Sequence, residues 1–487
     1  PYNQLPDGSY NPPAGITTRL VDNGNGTFSL KERFGTQINF DTNNRISILS
    51  DIDGNQMNFT YTGTQLTGIQ DVTGRALTLT YTGSNITSVV DSSGRGVSYG
   101  YDANNDLISA TDMDGQVWGF GYDSLHQMTT LNNPSGITTA TNVYDSLRRV
   151  QTQTVPRQVG SATYNFYFSG FRNVEEDPFG KRRIYYIDHK GRTYAIENES
   201  GDKVVKQFDG QNHEVAITDP LNRTTQFIYD GNQNLTQIIN ALNQVTTNTY
   251  DSQYRLTDTT DPLLNTTQFT YDVNHHLTGT TDAVLNSTQL TYNLNGQIAT
   301  TTDGRGTVTN LTYDANTNPL TSKIAAHPAV SYNYDAIGRM SSLTDQEGST
   351  TYFQYDNQGL LLNRTDPLNK ITNFTYDNIG RLTSKTDRTN ALINYTYTNA
   401  DKLATVNYPD LSSVQFTYDL HNQLIQMDDP LGTTNYTRDV LYRITNVNNA
   451  FNQNIGYEYF FLFTAVLGIP VVLLILYLMK MEKPGRA

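Results

Sequence analysis

The stretch 373–390, NFTYDNIGRLTSKTDRTN, decides the fold, because versions of it recur at a fixed interval along most of the 487-residue chain. It holds a Tyr376-Asp377 pair, a turn with Gly380-Arg381, a short strand-like run and a second aspartate, Asp387. Tyr229, Tyr250, Tyr271, Tyr292, Tyr313, Tyr334, Tyr355, Tyr376, Tyr397 and Tyr418 follow one another at steps of 21 residues (397 less 376, and likewise for each pair). A period of this size marks an array whose units cannot bury an apolar face alone and must stack on their neighbours.

Working outward, the period continues with drift. Phe208-Asp209 and Ile187-Asp188 take earlier slots, and Phe166 takes one without its aspartate. Before them come Phe40-Asp41, Tyr61, Tyr81, Tyr101-Asp102, Tyr122-Asp123 and Tyr144-Asp145, and after Tyr418 the slot falls on Arg438-Asp439. The array thus runs over 40–459, preceded by a partial repeat region over 1–39. Its most divergent part is 146–206, where Glu175-Glu176-Asp177 and Lys181-Arg182-Arg183 raise the charge density. That segment reads as degenerate repeats with a solvated loop, or more sharply as a docking surface or a seam between sub-arrays.

Within a copy, apolar and aromatic residues alternate, as in Phe374 and Tyr376, the period-two signature of a half-buried strand. Gly380, like Gly338 and Gly359, stands where a left-handed residue closes a type I turn with a bulge. The second turn is Asp-Pro-Leu or a relative, at Asp219-Pro220, Asp261-Pro262, Asp366-Pro367 and Asp429-Pro430, where Pro pre-sets the dihedral and Asp bonds to the backbone beyond it. Alternating turns give an antiparallel meander of about forty strands, almost 200 Å wide if flat at ~4.8 Å per strand. Twist forbids so wide a flat sheet, so the expected fold class is all-β: a long antiparallel hairpin array coiling into a spiral sheet or shell.

Composition narrows function. The net charge of -14 and the lack of clustered Lys and Arg argue against nucleic acid as a partner. Zero Cys removes disulfides, thiolate catalysis and cysteine metal sites. The seven His residues, 126, 189, 213, 275, 276, 327 and 421, show no metal-ligand spacing, and His275-His276 reads as a surface turn pair. Asp177 with Asp188 invites a carboxylate-pair reading, yet nothing nearby fixes a substrate. The recurring Arg149, Arg255, Arg339, Arg381 and Arg443 read as structural, pairing with a turn carboxylate or lying across an aromatic face. No active-site pattern emerges, so the chain is expected to be non-enzymatic, without catalytic residues, cofactor or metal.

The C-terminal end departs from the array. The stretch 460–479, FFLFTAVLGIPVVLLILYLM, is twenty residues without a charge, the length of one transmembrane helix. Lys480, Lys483 and Arg486 follow it, so the positive-inside rule puts a short basic tail, 480–487, in the cytoplasm and the repeats outside it. The expectation is a single-pass protein of the cell envelope with extracytoplasmic repeats and the lipid bilayer as a partner through 460–479. Tyr457-Glu458-Tyr459 reads as a further repeat strand cut one residue short of its aspartate, which points to a rearranged junction at Tyr459-Phe460.

The units 334–340, YDAIGRM, 376–383, YDNIGRLT, and 365–368, TDPL, resemble the YD repeat of Rhs proteins, insecticidal toxin complex C-type subunits and teneurins. The resemblance covers about 40 to 459. It implies a spiralling β-sheet shell, either a hollow cocoon around a C-terminal toxin or effector or an extracellular adhesion module, with carbohydrate binding linked to such repeats. The family's core-associated segment, with its paired Asp-Pro-x-Gly stretches and self-cleavage, has no counterpart here. The leading expectation is a membrane-tethered shell or surface scaffold meeting a glycan or cell-surface protein. The alternative is a fragment of a polymorphic toxin-delivery protein whose shell encloses an effector in a longer parent.

Overall fold

The computed structural model describes residues 2–449 and the backbone of Asn454–Gly456. One repeat consists of the strand Ile371–Tyr376, a five-residue turn, the strand Leu382–Thr386 and a second five-residue turn leading to Leu392–Tyr397. Those lengths compose the 21-residue period. Both turns close in the same way. The Asp377 amide donates to the Arg381 carbonyl at 3.0 Å and the Gly380 amide to the Asp377 carbonyl at 3.0 Å; the Asp387 turn repeats this with Ala391 and Asn390. The fourth turn residue is left-handed in each, Gly380 at φ 82° and Asn390 at φ 67°.

The sequence suggests two kinds of turn, whereas the structure shows one turn with two exits. After the tyrosine turn, Thr375 pairs with Ser384 and Tyr376 with Leu382, so Thr383 is an extra, bulged residue. After the other turn, Lys385 pairs with Ile393 and Thr386 with Leu392 without a slip. A bulge bends its strand and increases local twist, so one bulge per repeat supplies curvature at a regular interval. Pro fits the second position of the other turn, as at Pro367, because that amide is the one the turn does not use.

Among the described residues there are forty-five strands and no helix. The first two, Asn3–Gln4 and Tyr10–Asn11, pair with each other. From Arg19–Asp22 onward every strand pairs antiparallel with its sequence neighbours as far as Asn454–Gly456. No described pair joins the two ends, as a hydrogen-bonded barrel would require; the ribbon instead passes over itself, with Phe34 against His275 and Asp177 against Tyr442. It is a spiral of about two coils.

This spiral has no central core. Its accessible surface is 29575 Å², against about 18,000 Å² for a compact protein of 54.5 kDa. The residues outside the described set, even fully extended, account for no more than about 6,000 Å². Among the described residues no large side chain is fully buried, and the deepest apolar one is small, Ala195 at 1%. Along Ile371–Tyr376, Thr372, Phe374 and Tyr376 are half-buried while Ile371, Asn373 and Thr375 are exposed, so a single sheet layer carries one crowded face and one open face.

The expected C-terminal transmembrane helix is corrected. The described residues hold no helix, and so none long and apolar enough to cross a membrane; the fold class of the described residues is the all-β array alone. The stretch 460–479, on whose hydropathy that expectation rested, lies outside the described residues, as does the tail 480–487.

Candidate functional site along the coil-to-coil seam

Each tyrosine turn is built around its aspartate. One oxygen of Asp377 accepts from the Ile379 amide at 3.1 Å and the Arg381 amide at 2.9 Å, and the other takes the Arg381 guanidinium at 2.7 Å. The same guanidinium lies over the Tyr397 ring of the next repeat, 4.7 Å from its centroid. Arg149, Arg255 and Arg339 likewise pair with their turn aspartates and cover Phe168, Tyr271 and Tyr355, and Arg443 pairs with Asp439. The recurring arginine thus plays both structural roles read from the sequence.

The tyrosine hydroxyls do more than fill the sheet. Tyr376 donates to the Leu361 carbonyl at 3.0 Å, Tyr397 to Leu382 at 2.9 Å and Tyr418 to Leu403 at 2.9 Å. Each ties a repeat to the one before. Arg438, in the slot where tyrosine is missing, donates to the Leu424 carbonyl at 3.0 Å, which replaces that tie. Hydrogen bonds also set the acidity of the turns. Burial raises the Asp91 carboxyl, but donation from Ser93 and Arg95 brings it to about 2; Asp188 reaches about 2 against burial through Arg192 and Lys190.

Turns that follow a tyrosine strand lie on one edge of the ribbon, the tyrosine edge, and the intervening turns on the other, the proline edge. Where the coils meet, the proline edge of the first receives the tyrosine edge of the second. Arg33 donates to Asn234 at 2.8 Å and covers Tyr254. Asn55 donates to the Asn295 carbonyl at 3.1 Å, Gln358 to Asp112 at 2.8 Å and Lys181 to the Val440 carbonyl at 3.0 Å. Gln158 donates to the Phe416 carbonyl at 3.1 Å and accepts from the Tyr418 amide at 2.9 Å. Arg157 donates to the Leu420 carbonyl. A cleft of about 440 Å³ opens in this seam, lined by Asp51, Met57, Asp71, Arg75, Asn295 and Gln297 among others.

Two histidines lock the seam. His276 sits 3.0 Å from Asp272 of its own turn and 2.9 Å from Asp53 of the other coil, with its ring stacked on Tyr292 at 4.4 Å. Desolvation lowers its pKa, yet hydrogen bonds to Asp53 and Asp272 outweigh this and raise it above the ordinary imidazole value. His421 stacks on Phe179 at 4.8 Å and lies 3.2 Å from Asp177, to which the Tyr442 hydroxyl also donates. Burial raises the Asp177 carboxyl, but Tyr442, the Lys181 and Phe179 amides and His421 leave it below its usual value. Burial and that carboxylate push the Tyr442 hydroxyl up.

The pair His275-His276 is therefore a turn, as read, but a seam turn rather than a surface one. Asp177 and Asp188 are not brought together: they stand at opposite ends of the strand Arg182–Ile187, one on each edge. The divergent segment 146–206 supplies Arg157, Gln158, Asp177 and Lys181 to the seam. Among the described residues no group of three or more His, Asp or Glu side chains is placed to hold a metal ion. Sequence reasoning offered a seam only as one reading of 146–206 and missed that the contact runs along the whole edge of the first coil. Its one signal is a handful of departures from the repeat, Phe34, Arg157, Phe179 and His276, each at a coil-to-coil contact.

Profiles of two repeat families match the chain: Teneurin YD-shell over residues 247–437 and 368–459, and RHS Repeat over 101–139 and 208–245. Together they take in more than half of it. No curated protein matches. Among solved structures, a chain in the crystal structure of TcdB2-TccC3-Cdc42 is similar at 14% identity and TM-score 0.60, over 89% of this chain and 32% of that one. A chain in the crystal structure of TcdB2-TccC3 is similar at 15% identity and TM-score 0.60, over 86% and 30%. At such identity the likeness is one of fold, and this chain spans about a third of the length of those it matches.

Proposed function

We propose that this chain, which belongs to the YD-repeat family of Rhs proteins and teneurin shells, is the wall of a compartment that encloses an unfolded polypeptide. It is a scaffold rather than a catalyst. The observation that carries the reading is the surplus of surface: a single layer coils twice with no core, so its inner face is free to meet something else. Curvature crowds the concave side of a sheet, which assigns the half-buried face of Phe374 and Tyr376 to the lumen.

The dimensions limit the cargo. One circuit takes 241 residues from Phe34 to His275 (275 less 34), which is between eleven and twelve repeats. At two strands each and ~4.8 Å per strand, the circumference is about 110 Å and the backbone diameter about 35 Å. Side chains reduce the lumen to about 25 Å. A helix of 10–12 Å diameter passes, whereas a folded 100-residue domain, about 34 Å across from its radius of gyration of about 13 Å, does not. The enclosed polypeptide is thus held unfolded, against a face that mixes Phe227, Phe269, Phe353 and Phe374 with Thr and Lys. The neighbours named TcdB2-TccC3, and the effector-enclosing shells that YD repeats resemble, support the same reading.

Protease protection tests it. A domain of about 100 residues, destabilised by core substitutions and joined after Ala487, is expected to resist a protease that digests the same domain alone. Digestion at the rate of the free domain refutes enclosure.

A further inference from the structure

The seam sets a rule for how edges of this ribbon meet, and two edges are left over among the described residues. One is the tyrosine edge of the first coil; the other is the proline edge of the second. Both carry apolar tips, which on the proline edge run unbroken from Leu221 to Val284 and are interspersed further on with Arg305, Glu347, Thr389 and Asp410. On the proline edge, Leu221, Leu242, Leu263, Val284, Leu368 and Leu431 hold the third turn position and are 70% to 78% exposed. Four of them follow at 21-residue intervals (242 less 221, 263 less 242, 284 less 263), so they form a row along one rim. Solitary exposed apolar residues need no explanation, but a contiguous row does.

The covered copy of the same edge differs. At the third turn position of the first coil's proline edge stand Asp53, Thr73, Ser93, Asp114 and Ser135, between Phe34 and Phe179, whose rings meet His275 and His421 of the second coil. The row is therefore not a by-product of the turn, which forms equally well with polar tips. On the first coil's tyrosine edge, Leu125, Leu147 and Phe171 are exposed. Ile337, at the position of Leu125 in its own turn, is half-buried in the seam beside Asp91 and Arg95.

We infer that the leucine-tipped proline edge of the second coil is an interface for the free tyrosine edge of a second copy of this chain, so that copies stack head to tail. The contact continues the seam already present, with the same two kinds of edge in the same order. Because the two surfaces differ and both belong to one chain, the contact is heterologous and propagates instead of closing on a dimer. Each copy carries a net charge of -14, which opposes approach at long range. Salt shortens that repulsion while leaving apolar contact intact, so stacking strengthens with ionic strength.

Sedimentation velocity on the full chain tests this, run up to about 50 µM, where interfaces of ordinary area without dominant hot spots associate. The expected result is species at multiples of 54.5 kDa that grow with concentration and with salt. Two variants then separate the edges: Leu242→Asp with Leu263→Asp and Val284→Asp, and Leu125→Asp with Leu147→Asp and Phe171→Asp. All six side chains are exposed, and an unchanged far-UV circular dichroism spectrum confirms that each variant folds. Each variant alone is expected to be monomeric, and an equal mixture to give dimers and nothing larger. A monomeric native chain overturns the inference, including the case in which another part of the same chain covers the rim. Association that survives both sets of substitutions, as contact through 460–479 would, overturns it too.

Discussion

Removing the His276 imidazole should open the seam without dissolving the repeats. In the native chain the His276 and Asp53 side chains are 13% and 9% exposed and 2.9 Å apart. They sit in a wall one sheet thick, with solvent close on both sides, so an effective dielectric near 20 applies rather than the value for a deep interior. Coulomb attraction at that distance is then at most about 6 kcal/mol. Desolvation of both groups cancels most of it, leaving about 2 kcal/mol, the usual worth of a hydrogen bond between charged partners. A loss of about 2 kcal/mol in local opening raises hydrogen exchange about 30-fold. The amides to follow are Asn55 and Gly296, which flank the contact; Asn55 and Gly296 should speed up together in His276→Ala and in Asp53→Asn. The double variant should cost clearly less than the sum of the two, because both remove the same interaction. Full additivity, or exchange within about 2-fold of native, refutes the latch. The pH dependence carries a sign. The His276 pKa is raised by Asp53 and Asp272 despite desolvation, so its contribution is complete below the ordinary imidazole value of about 6.5 and is lost as pH rises through the raised value. At the acid end the lowered Asp272 contributes above the ordinary carboxylate range and fades as pH falls through its own folded value. The seam is tightest between those limits.

Leu264 holds the fourth position of its turn at φ 66° and is 83% exposed. Leu264→Asn, matching Asn222, Asn243 and Asn369 at φ 61°, 58° and 57°, should raise stability by about 0.5–1 kcal/mol, since a left-handed conformation costs a branched side chain about 1 kcal/mol; a lower thermal midpoint would count against this. Tyr376→Phe leaves the Leu361 carbonyl without its donor and should cost about 1 kcal/mol locally. Exchange in Leu361–Thr365 should rise about 5-fold while strands several repeats away stay unchanged, and a uniform change along the chain would contradict it.

The repeat, its strands and its turns were legible because each depends on residues within one period. Asp377, Gly380 and Arg381 are close in sequence and each has one job in a local motif. The bulge at Thr383 was not legible from Gly380 alone, because Gly380 and Asn390 hold the same left-handed position and only the first of the two turns is followed by a slip. What escaped was everything set by curvature. Whether Asp53 meets His276 depends on how far some eleven repeats turn the ribbon, a sum of small angles that no single repeat encodes. His276 consequently reads as a surface turn and becomes a seam contact. The transmembrane expectation rested on the hydropathy of 460–479 alone, with nothing in the repeats to support or oppose it, and the described strands give it no helix.

The seam changes what kind of object the ribbon is. Without it, each repeat would touch only its neighbours, and stability would be a sum of short-range terms that fray from either end. Contacts such as Asp53 to His276 and Asp177 to Tyr442 link residues 223 and 265 apart (276 less 53, 442 less 177), so that fraying one coil also exposes the edge of another. A wall with no core has few other sources of cooperativity, since most of its described apolar residues are only half-buried and few, such as Ile184 and Val406, are buried. The seam's few polar latches therefore matter more than their individual energies indicate. Loosening them would let the coils part sideways while the tyrosine ties and Asp turns keep every repeat intact, and a shell that opens in that way can admit or release a chain without unfolding itself.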